Sequence, residues 1–402
     1  MNTRQKSIPI WILVLSFLVS GCGSLSKPTQ FISITAGDSI TCGLTSNGGV
    51  KCWGANWNGQ LGDGSYYQKS ENTPVDVSGL ASGVSTIVAG NWHVCALTSG
   101  GGVKCWGNNW HGELGNGMPT IKSPYGKNTP VDVVSLTSDV IALAVGGGHT
   151  CALISSGGVK CWGYNKWGQL GDGTTADRTV PVDVNGLTSD VISIDAGDNF
   201  TCALMSSGEV KCWGINDSGQ LGNGTNTMST TPVGVNGLTD RVSIISAGSS
   251  HTCALTSNGG VKCWGNNQFG QLGDSSILLT ITNYGKTIPV DVNGLTSGVI
   301  GIAAGGSHTC ALTFSGRVKC WGDNANGGLG NGTADTITIS SGETTPVDVI
   351  GLTNDISMIV AGVRHTCALT SGGKVKCWGW NLYGQLGNGT NISSALPVDI
   401  EH

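Results

Sequence analysis

Short apolar runs alternate with polar turns along almost the whole chain, at intervals that favour β-strands. In the first complete period, residues 41–45 and 50–53 are short runs with β-strand character on either side of a Ser-Asn-Gly-Gly turn at residues 46–49, which is typical of a β-hairpin. Residues 74–77 predict a third strand that includes a proline at its start, and residues 84–88 predict a fourth. Four short strands in each period of about 50 residues are typical of a propeller blade.

The repeated phrase reads His-Thr-Cys-Ala-Leu, a turn, Val-Lys-Cys-Trp-Gly and Asn-x-x-Gly-Gln-Leu-Gly, and variants of it occur seven times. Only the segment from that leucine to the proline of the next Pro-Val-Asp changes in length. Such insertions lie in surface loops, and in repeat folds they lie on one face. We therefore predict an all-β fold, a seven-bladed β-propeller with four-stranded antiparallel blades, as one domain over residues 31–402.

The two ends of the repeat region predict how the ring closes. The last unit ends at residues 397–400 without a following strand, and residues 31–34 match residues 191–194, which form that strand in another unit. We predict that residues 31–34 complete the last blade beside residues 398–400. The ring would then be closed by pairing of the N- and C-terminal strands, which removes an open sheet edge.

The repeated phrase resembles the regulator of chromosome condensation repeat family. Its Trp-Gly anchors are Trp53, Trp106, Trp162, Trp213, Trp264, Trp321 and Trp378. The resemblance extends over residues 31–402 and implies a seven-bladed propeller. It does not specify a function, because members include a nuclear nucleotide-exchange factor, secreted β-lactamase inhibitor proteins and bacterial surface proteins.

Fourteen of the 15 cysteines form seven pairs whose members lie 10 positions apart. If the first hairpin is centred on Asn47, Cys42 lies opposite Cys52 at a Cα distance of about 4.5–5.5 Å, within reach of a disulfide. We interpret the pairs as cross-strand disulfides in an exported chain; zinc ligation and buried free thiols are the alternatives. The pairs are Cys42 with Cys52, Cys95 with Cys105, Cys151 with Cys161, Cys202 with Cys212, Cys253 with Cys263, Cys310 with Cys320, and Cys367 with Cys377.

The first 22 residues predict a lipoprotein signal peptide. A basic start precedes an apolar run over residues 8–19, and the run leads into Val-Ser-Gly-Cys at residues 19–22, which resembles the bacterial lipobox. Cys22 would be lipidated, residues 23–30 would form a tether, and Gly23 favours the outer membrane. The alternative is an ordinary signal peptide with a chance cysteine. We expect an exported monomer that contacts the membrane of a bacterial cell envelope only through its lipid.

Composition narrows the classes of function. With 66 glycines and only 11% charged residues, the chain is unsuited to long helices. Its net charge of −5 gives no basic excess that would attract nucleic acid. We interpret the five histidines before the first cysteines as structural, because Ile40 and Phe200 replace them in two units. No metal, cofactor or catalytic constellation is predicted, so we expect a protein that is not an enzyme.

A repeated lysine and a repeated aspartate predict an ion pair within each blade. The lysine precedes the second cysteine and the aspartate belongs to Pro-Val-Asp, but unit four has Gly234 at the aspartate position. Lys211 should therefore lack this partner. Exposed pairs of this kind contribute little to stability.

The variable loops supply the predicted binding residues, at positions 65–73, 118–129, 275–288 and 333–345. Exposed tyrosines are typical of protein interfaces. The candidates are Tyr66, Tyr67, Tyr125, Tyr284, Lys69, Lys127 and Lys286. A second set of aromatics follows the Trp-Gly motif, and we assign it to packing because the family often has an aromatic there: Trp57, Trp110, Trp167, Phe269 and Tyr383.

We predict a lipid-anchored propeller that binds a protein partner through these loops on one face. The first alternative is an inhibitor of a secreted enzyme, which the resemblance to the β-lactamase inhibitor propellers implies. The second is a glycan-binding propeller in which aromatic rings stack on sugars. Guanine nucleotide exchange is the least favoured of these functions, because an export signal would separate the chain from cytoplasmic GTPases.

Overall fold

The computed structural model describes residues 29–66, 70–120, 122, 125–276, 285–334 and 342–401. These residues form 28 strands and no helix. The first four blades comprise β1 (Phe31–Ala36), β2 (Ile40–Thr45), β3 (Val50–Gly54), β4 (Glu71–Asp76); β5 (Val84–Ala89), β6 (His93–Thr98), β7 (Val103–Asn108), β8 (Gly126–Asp132); β9 (Val140–Val145), β10 (His149–Ile154), β11 (Val159–Gly163), β12 (Arg178–Asp183); and β13 (Val191–Ala196), β14 (Phe200–Met205), β15 (Val210–Gly214), β16 (Ser229–Gly234). The last three comprise β17 (Val242–Ala247), β18 (His251–Thr256), β19 (Val261–Asn266), β20 (Gly285–Asp291); β21 (Val299–Ala304), β22 (His308–Thr313), β23 (Val318–Asp323), β24 (Gly342–Asp348); and β25 (Ile356–Ala361), β26 (His365–Thr370), β27 (Val375–Gly379), β28 (Ser394–Asp399).

Each blade is a sheet of four consecutive antiparallel strands, so the predicted seven-bladed propeller is confirmed. The first strand of every blade lies innermost. Because the first and third strands of a blade run in the same direction, their following loops lie on one face, which we call the loop face. The tight hairpin turns and the linkers between blades lie on the other face, which we call the turn face.

The predicted closure by strand exchange is wrong. Residues 31–34 belong to β1, which pairs with β2 in the first blade, and β28 pairs with β27 in the last. In the sequence repeat, the strand after Pro-Val-Asp is the last strand of its unit. In the structure, that strand is instead the first strand of the next blade. The last and first blades instead meet side by side: Phe31 N donates to Gly373 O at 3.1 Å, and Gly389 N donates to Asn72 O at 2.9 Å.

The hairpin register is the predicted one in every blade, and it aligns the two cysteines of each hairpin directly opposite each other. All seven predicted pairs form disulfides, with Cα distances of 4.1 Å and no exposed surface on any of the sulfur-bearing residues. Zinc ligation and free thiols are therefore not the state of these residues in the structure. The bonds join Cys42 to Cys52, Cys95 to Cys105, Cys151 to Cys161, Cys202 to Cys212, Cys253 to Cys263, Cys310 to Cys320, and Cys367 to Cys377.

The predicted lysine–aspartate pairs form in six blades, with Nζ–Oδ1 distances of 2.5–2.9 Å. The lysine comes from the third strand and the aspartate from the end of the fourth, which lie opposite each other in the sheet. In unit four, Lys211 lies opposite Gly234, which has no carboxylate to offer. The aspartates are largely exposed, so these pairs contribute little to stability.

The core lies between the blades, and each interface repeats the same contacts. The indole Nε1 of Trp106 donates to Gln60 O of the preceding blade at 2.9 Å, and Trp53 donates to Gln385 O at 3.0 Å across the closing interface. These tryptophans have no exposed surface and belong to apolar clusters that join neighbouring blades. Since the closing interface uses the same bond as the others, the ring has no distinct seam in this respect.

The five repeated histidines connect blades. Each Nε2 lies 2.8 Å from a threonine Oγ1 of the next blade, as in the contacts of His149 with Thr201 and of His365 with Thr41. Each of these threonines also donates to a backbone carbonyl oxygen at 2.8–3.0 Å. The threonine therefore accepts from His Nε2–H, which explains why the position is structural. Where Ile40 replaces histidine, Val94 replaces the threonine of the next unit, and both lie in one apolar cluster.

A ring of seven glycines surrounds the central channel at the loop face. A Cβ atom on any of them would lie 2.0–2.5 Å from the carbonyl oxygen of the next, which no larger residue could tolerate: Gly37, Gly90, Gly146, Gly197, Gly248, Gly305 and Gly362. The closed succession from Gly362 back to Gly37 shows that the inner strands meet around the whole axis.

Candidate functional site

One half of the loop face has a series of aromatic side chains that come from different blades. The third-to-fourth-strand loop of blade one places Trp57 between Tyr383 of blade seven and Trp92 of blade two, at centroid distances of 4.5 and 5.7 Å. Trp380 meets Tyr383 edge-on at 5.3 Å, and the Arg364 guanidinium lies 5.4 Å from the Trp380 ring. Trp92 is 36% exposed, so this group is open to solvent.

A second group of rings occupies the loops of blades two and three. Trp110 stacks on Tyr125 with a centroid distance of 4.6 Å and an interplanar angle of 20°, and Trp110 is 51% exposed. His111 packs against Tyr164 at 4.4 Å, and its Nδ1 lies 2.7 Å from Asp177 Oδ2. We call the rings of the two groups the aromatic arc: Trp57, Trp92, Trp110, Tyr125, Tyr164, Trp380 and Tyr383.

The arc is confined to blades seven, one, two and three. The position of Trp57 and Trp110 is occupied in blades four, five and six by Asp217, Gln268 and Ala325. The seven repeats therefore supply a symmetric framework on which the ring contacts among the described residues lie on one side of the loop face, although Phe269 of blade five occupies the repeat position of Tyr383.

Burial shifts the pKa of two groups here, Glu113 beside the arc and Tyr164 within it. Glu113 replaces the usual glutamine and accepts from His111 N at 2.8 Å, as the glutamines of other units accept from the equivalent amide. Burial raises the pKa of Glu113 to about 7, with a smaller contribution from Asp177 in the same direction. Burial and, secondarily, Asp177 also raise the pKa of Tyr164.

The central channel opens at the middle of the loop face, with a cavity volume of about 230 Å³. Asp195 lines it and accepts hydrogen bonds from Ala196 N at 2.9 Å and Ala247 N at 2.8 Å, and burial raises its pKa to about 6. In the part of the chain that the structure describes, no group of three or more His, Cys, Asp or Glu side chains could hold a metal ion.

The predicted binding residues are distributed unevenly around the arc. Tyr125 is part of it, and Tyr66 donates its hydroxyl to Gly126 O at 3.1 Å in the next blade. Lys127 is exposed on β8, whereas Lys286 lies 3.8 Å from Asp274. Their role in binding stays a prediction. Three more predicted residues, Tyr67, Lys69 and Tyr284, lie outside the described residues, as does Cys22.

Sequence reasoning misses several members of the arc. It assigns Trp57, Trp110 and Tyr383 to packing, and it does not single out Trp92 or Trp380. Trp92 stands in a loop position where other units have small or polar residues such as Ser39, Gly148 and Asn199. A large apolar residue at a position that is otherwise small or polar is the signal that could have found it.

The fold and this surface define a propeller scaffold of four-stranded blades that displays its variable residues on one face. The RCC1-like domain matches residues 19–276 and 116–402, and the chain belongs to the RCC1-like family. None of the described residues forms a helix with the length and apolar character needed to cross a membrane.

Relatives of known identity support this placement. The chain is 33% identical over 323 residues to the ultraviolet-B receptor UVR8 of Arabidopsis thaliana, covering 79% of this chain and 70% of that protein. It is 32% identical over 361 residues to the E3 ubiquitin-protein ligase HERC2 of Homo sapiens, covering 88% of this chain but only 7% of HERC2.

Solved structures share the fold. Yeast RCC1 (Prp20), in its complex with Kap60, matches with a TM-score of 0.76 and 21% identity, covering 100% of this chain and 91% of that chain. Prp20p from Saccharomyces cerevisiae also matches with a TM-score of 0.75 and 22% identity, covering 93% of this chain and 88% of that chain. At such identities the likeness concerns the fold alone.

Proposed function

We propose that the chain is a cell-envelope lipoprotein whose propeller binds a protein partner through the aromatic arc. The observation on which this rests is that, among the described residues, the ring contacts of the loop face are confined to one half of it, where Trp92 is 36% and Trp110 51% exposed, although all seven units share one framework. Tryptophan, tyrosine and arginine dominate the binding energy of protein interfaces, and the arc has all three types when Arg364 is included.

The architecture of the arc suits recognition by a preorganised surface. Within each of its two groups the rings contact one another or His111, so little side-chain freedom remains to be lost when a partner binds. The disulfide in each hairpin and the interblade hydrogen bonds fix the strands from which these loops emerge. Binding rather than catalysis is the function that these features support.

The known relatives agree with a binding role. Yeast RCC1 is bound to Kap60 in its crystal structure, and Prp20p has binding properties toward Gsp1p and histones. These partners belong to those proteins; what they suggest for this chain is only that the fold suits protein recognition. The lipid anchor at Cys22 and the envelope location rest on the sequence of residues 1–22.

One specific feature favours glycan binding as a second candidate. Trp110 and Tyr125 form a nearly parallel pair in which Trp110 is 51% exposed, and aromatic rings of this kind can stack on a sugar ring. A glycan would use this group alone, whereas a protein partner would extend over both groups of the arc.

Capture of envelope and secreted proteins on the immobilised propeller tests the proposal. The parent is compared with a Trp57→Ala, Trp92→Ala, Tyr383→Ala variant and with Phe314→Ser, which removes an 84% exposed ring from the turn face. We expect a partner that the parent and Phe314→Ser retain and the triple variant loses, with a Kd at least about 30-fold weaker for the triple variant once the partner is purified. Equal retention by all three would contradict the proposal, provided that circular dichroism shows each variant folded. If the partner is an enzyme, its inhibition identifies the inhibitor alternative.

A further inference from the structure

Four isoleucines form an exposed ring around the other mouth of the channel, on the turn face. Each is the second residue of an innermost strand, in blades one, three, four and six, and each is 49–55% exposed. Because the blades are arranged around one axis, these side chains surround it. We call them the isoleucine crown: Ile32, Ile141, Ile192 and Ile300.

The crown has no evident role within its own blades. Its position is the extra residue of a β-bulge, skipped in the register with the second strand. In blades two, five and seven the same position is serine, and its hydroxyl donates to a leucine carbonyl of the second strand at 3.0–3.1 Å. Isoleucine cannot make that bond. Serine at this position therefore gains a hydrogen bond within its blade, yet four units have an exposed apolar side chain there.

The chain enters the propeller at this same face. Gln30 lies between the hairpin turns of the first and last blades, where Ser46 N donates to Gln30 O at 2.9 Å and Gln30 Nε2 donates to Gly372 O at 3.2 Å. Residues 23–30 could extend at most about 28 Å from Cys22. An anchor at Cys22 would thus keep the turn face close to a bilayer and direct the aromatic arc away from it.

The rest of the turn face is compatible with a neutral lipid surface. Phe314, at a hairpin turn, is 84% exposed. Charged side chains of both signs occur on the turns and linkers, among them Arg317 and Lys374 with Asp139 and Asp190. Because acidic side chains outnumber basic ones on the described turns and linkers, apolar contact rather than attraction to anionic lipid would hold this face against a bilayer.

We propose that the isoleucine crown is a membrane-docking surface. It rests on the zwitterionic surface of the bilayer, with the propeller axis perpendicular to the membrane plane. The proposal rests on the proposed lipid anchor for its setting, but the docking surface itself belongs to the propeller. Beside the lipid anchor, a second contact of this kind would fix the orientation of the propeller at the bilayer.

Binding to phosphatidylcholine vesicles tests the crown without the anchor. Residues 29–402 contain every strand and core cluster described above and can be studied without the N-terminal segment. The test variant changes all four crown residues to serine, the residue of the other three blades: Ile32→Ser, Ile141→Ser, Ile192→Ser and Ile300→Ser. We expect the parent to sediment with vesicles and the test variant to bind at least about tenfold more weakly.

A matched control removes comparable apolar surface from the outer strands. Val180, Ile288 and Leu396 are 37–48% exposed and stand before a proline where other units have threonine, so the control is Val180→Thr, Ile288→Thr and Leu396→Thr. It should bind vesicles as the parent does. The proposal is overturned if the parent does not bind, if the crown variant binds equally well, or if sedimentation shows that the crown instead joins two copies of the chain.

The mass of the mature N-terminus tests the lipid anchor independently of the docking surface. If the full chain has no acyl group while residues 29–402 bind vesicles through the crown, the lipoprotein assignment fails and the docking surface stands. If Cys22 is acylated and the crown variant binds as tightly as the parent propeller, the anchor stands and the docking surface is refuted.

Discussion

Acidification is expected to destabilise the propeller, because the interblade histidines are buried in their neutral form. Burial lowers the pKa of His93, His149, His251 and His365 to about 3, and that of His308 to about 4, from an ordinary value of 6.5. The Nδ1 atoms of the first four have no hydrogen-bond partner, so nothing nearby would accept the added proton. Folded and unfolded chains therefore differ in proton uptake below pH 6.5.

The sign and size follow from proton linkage. The stabilising difference is fully present above pH 6.5 and is lost as the pH falls, because the unfolded chain takes up protons that the folded chain cannot. At pH 5 the loss is about 2 kcal/mol for each histidine, or about 10 kcal/mol for all five.

Buried carboxyl groups act in the opposite direction. Burial raises the pKa of Glu113 to about 7 and that of Asp195 to about 6, so the folded chain takes up protons first at these groups. Between pH 7.5 and 5 their protonation offsets about 4 kcal/mol of the loss. Burial also raises the pKa of Asp38 and of Asp198, which act in the same direction, so the net loss is at most about 6 kcal/mol. Such a loss is comparable to the total stability of many domains, about 5–15 kcal/mol.

Urea unfolding at pH 7.5 and pH 5, followed by tryptophan fluorescence, measures this loss. The variant His251→Phe isolates one histidine, because Phe200 already occupies that position in unit four beside Thr252, which keeps its bond to Gln220 O. Its pH-dependent loss should be smaller than that of the parent by about 2 kcal/mol. The reasoning is refuted if the variant loses as much stability as the parent, or if the parent is equally stable at both pH values.

Three further outcomes test the framework. Alkylation in denaturant without reductant should leave the fourteen paired cysteines unmodified by mass, and fourteen modified thiols would rule out the disulfides. Gly90→Ala should cost at least about 2 kcal/mol, because its Cβ would lie 2.3 Å from Gly146 O, whereas Gly100→Ala meets nothing within 4 Å and should change stability by less than about 0.5 kcal/mol. Trp53→Phe and Trp213→Phe should have equal effects within about 0.5 kcal/mol, since both indoles donate to the preceding blade, at 3.0 and 2.9 Å. A much smaller effect at Trp53 would indicate a weaker closing interface.

The repeats make most of the fold predictable because they encode local structure. The turn at Asn47 and Gly48 sets the register of the hairpin, and that register places Cys42 opposite Cys52. The division into blades is not local. Residues 84–88 could pair with the strand before or after them, and only contacts between distant strands decide that they join the second blade.

The aromatic arc is less predictable, since its members are distant in sequence. Trp57 contacts Tyr383 only because the last blade closes on the first, and Trp92 enters the same group from a different kind of loop. Tyr125, in contrast, is predictable because it lies in a long insertion, and its contact with Trp110 lies within one loop. A contact between aromatic residues of one loop can be predicted from the sequence, whereas a contact between residues of different blades cannot.

Photocrosslinking in intact cells tests most directly the claim that the aromatic arc binds a protein. Benzoyl-phenylalanine is placed at Trp110 on the loop face or at Phe314 on the turn face, both of which are at least half exposed. The account predicts a discrete protein adduct from position 110 and none from position 314, with position 314 labelling lipid instead. Protein adducts from position 314 alone would contradict it.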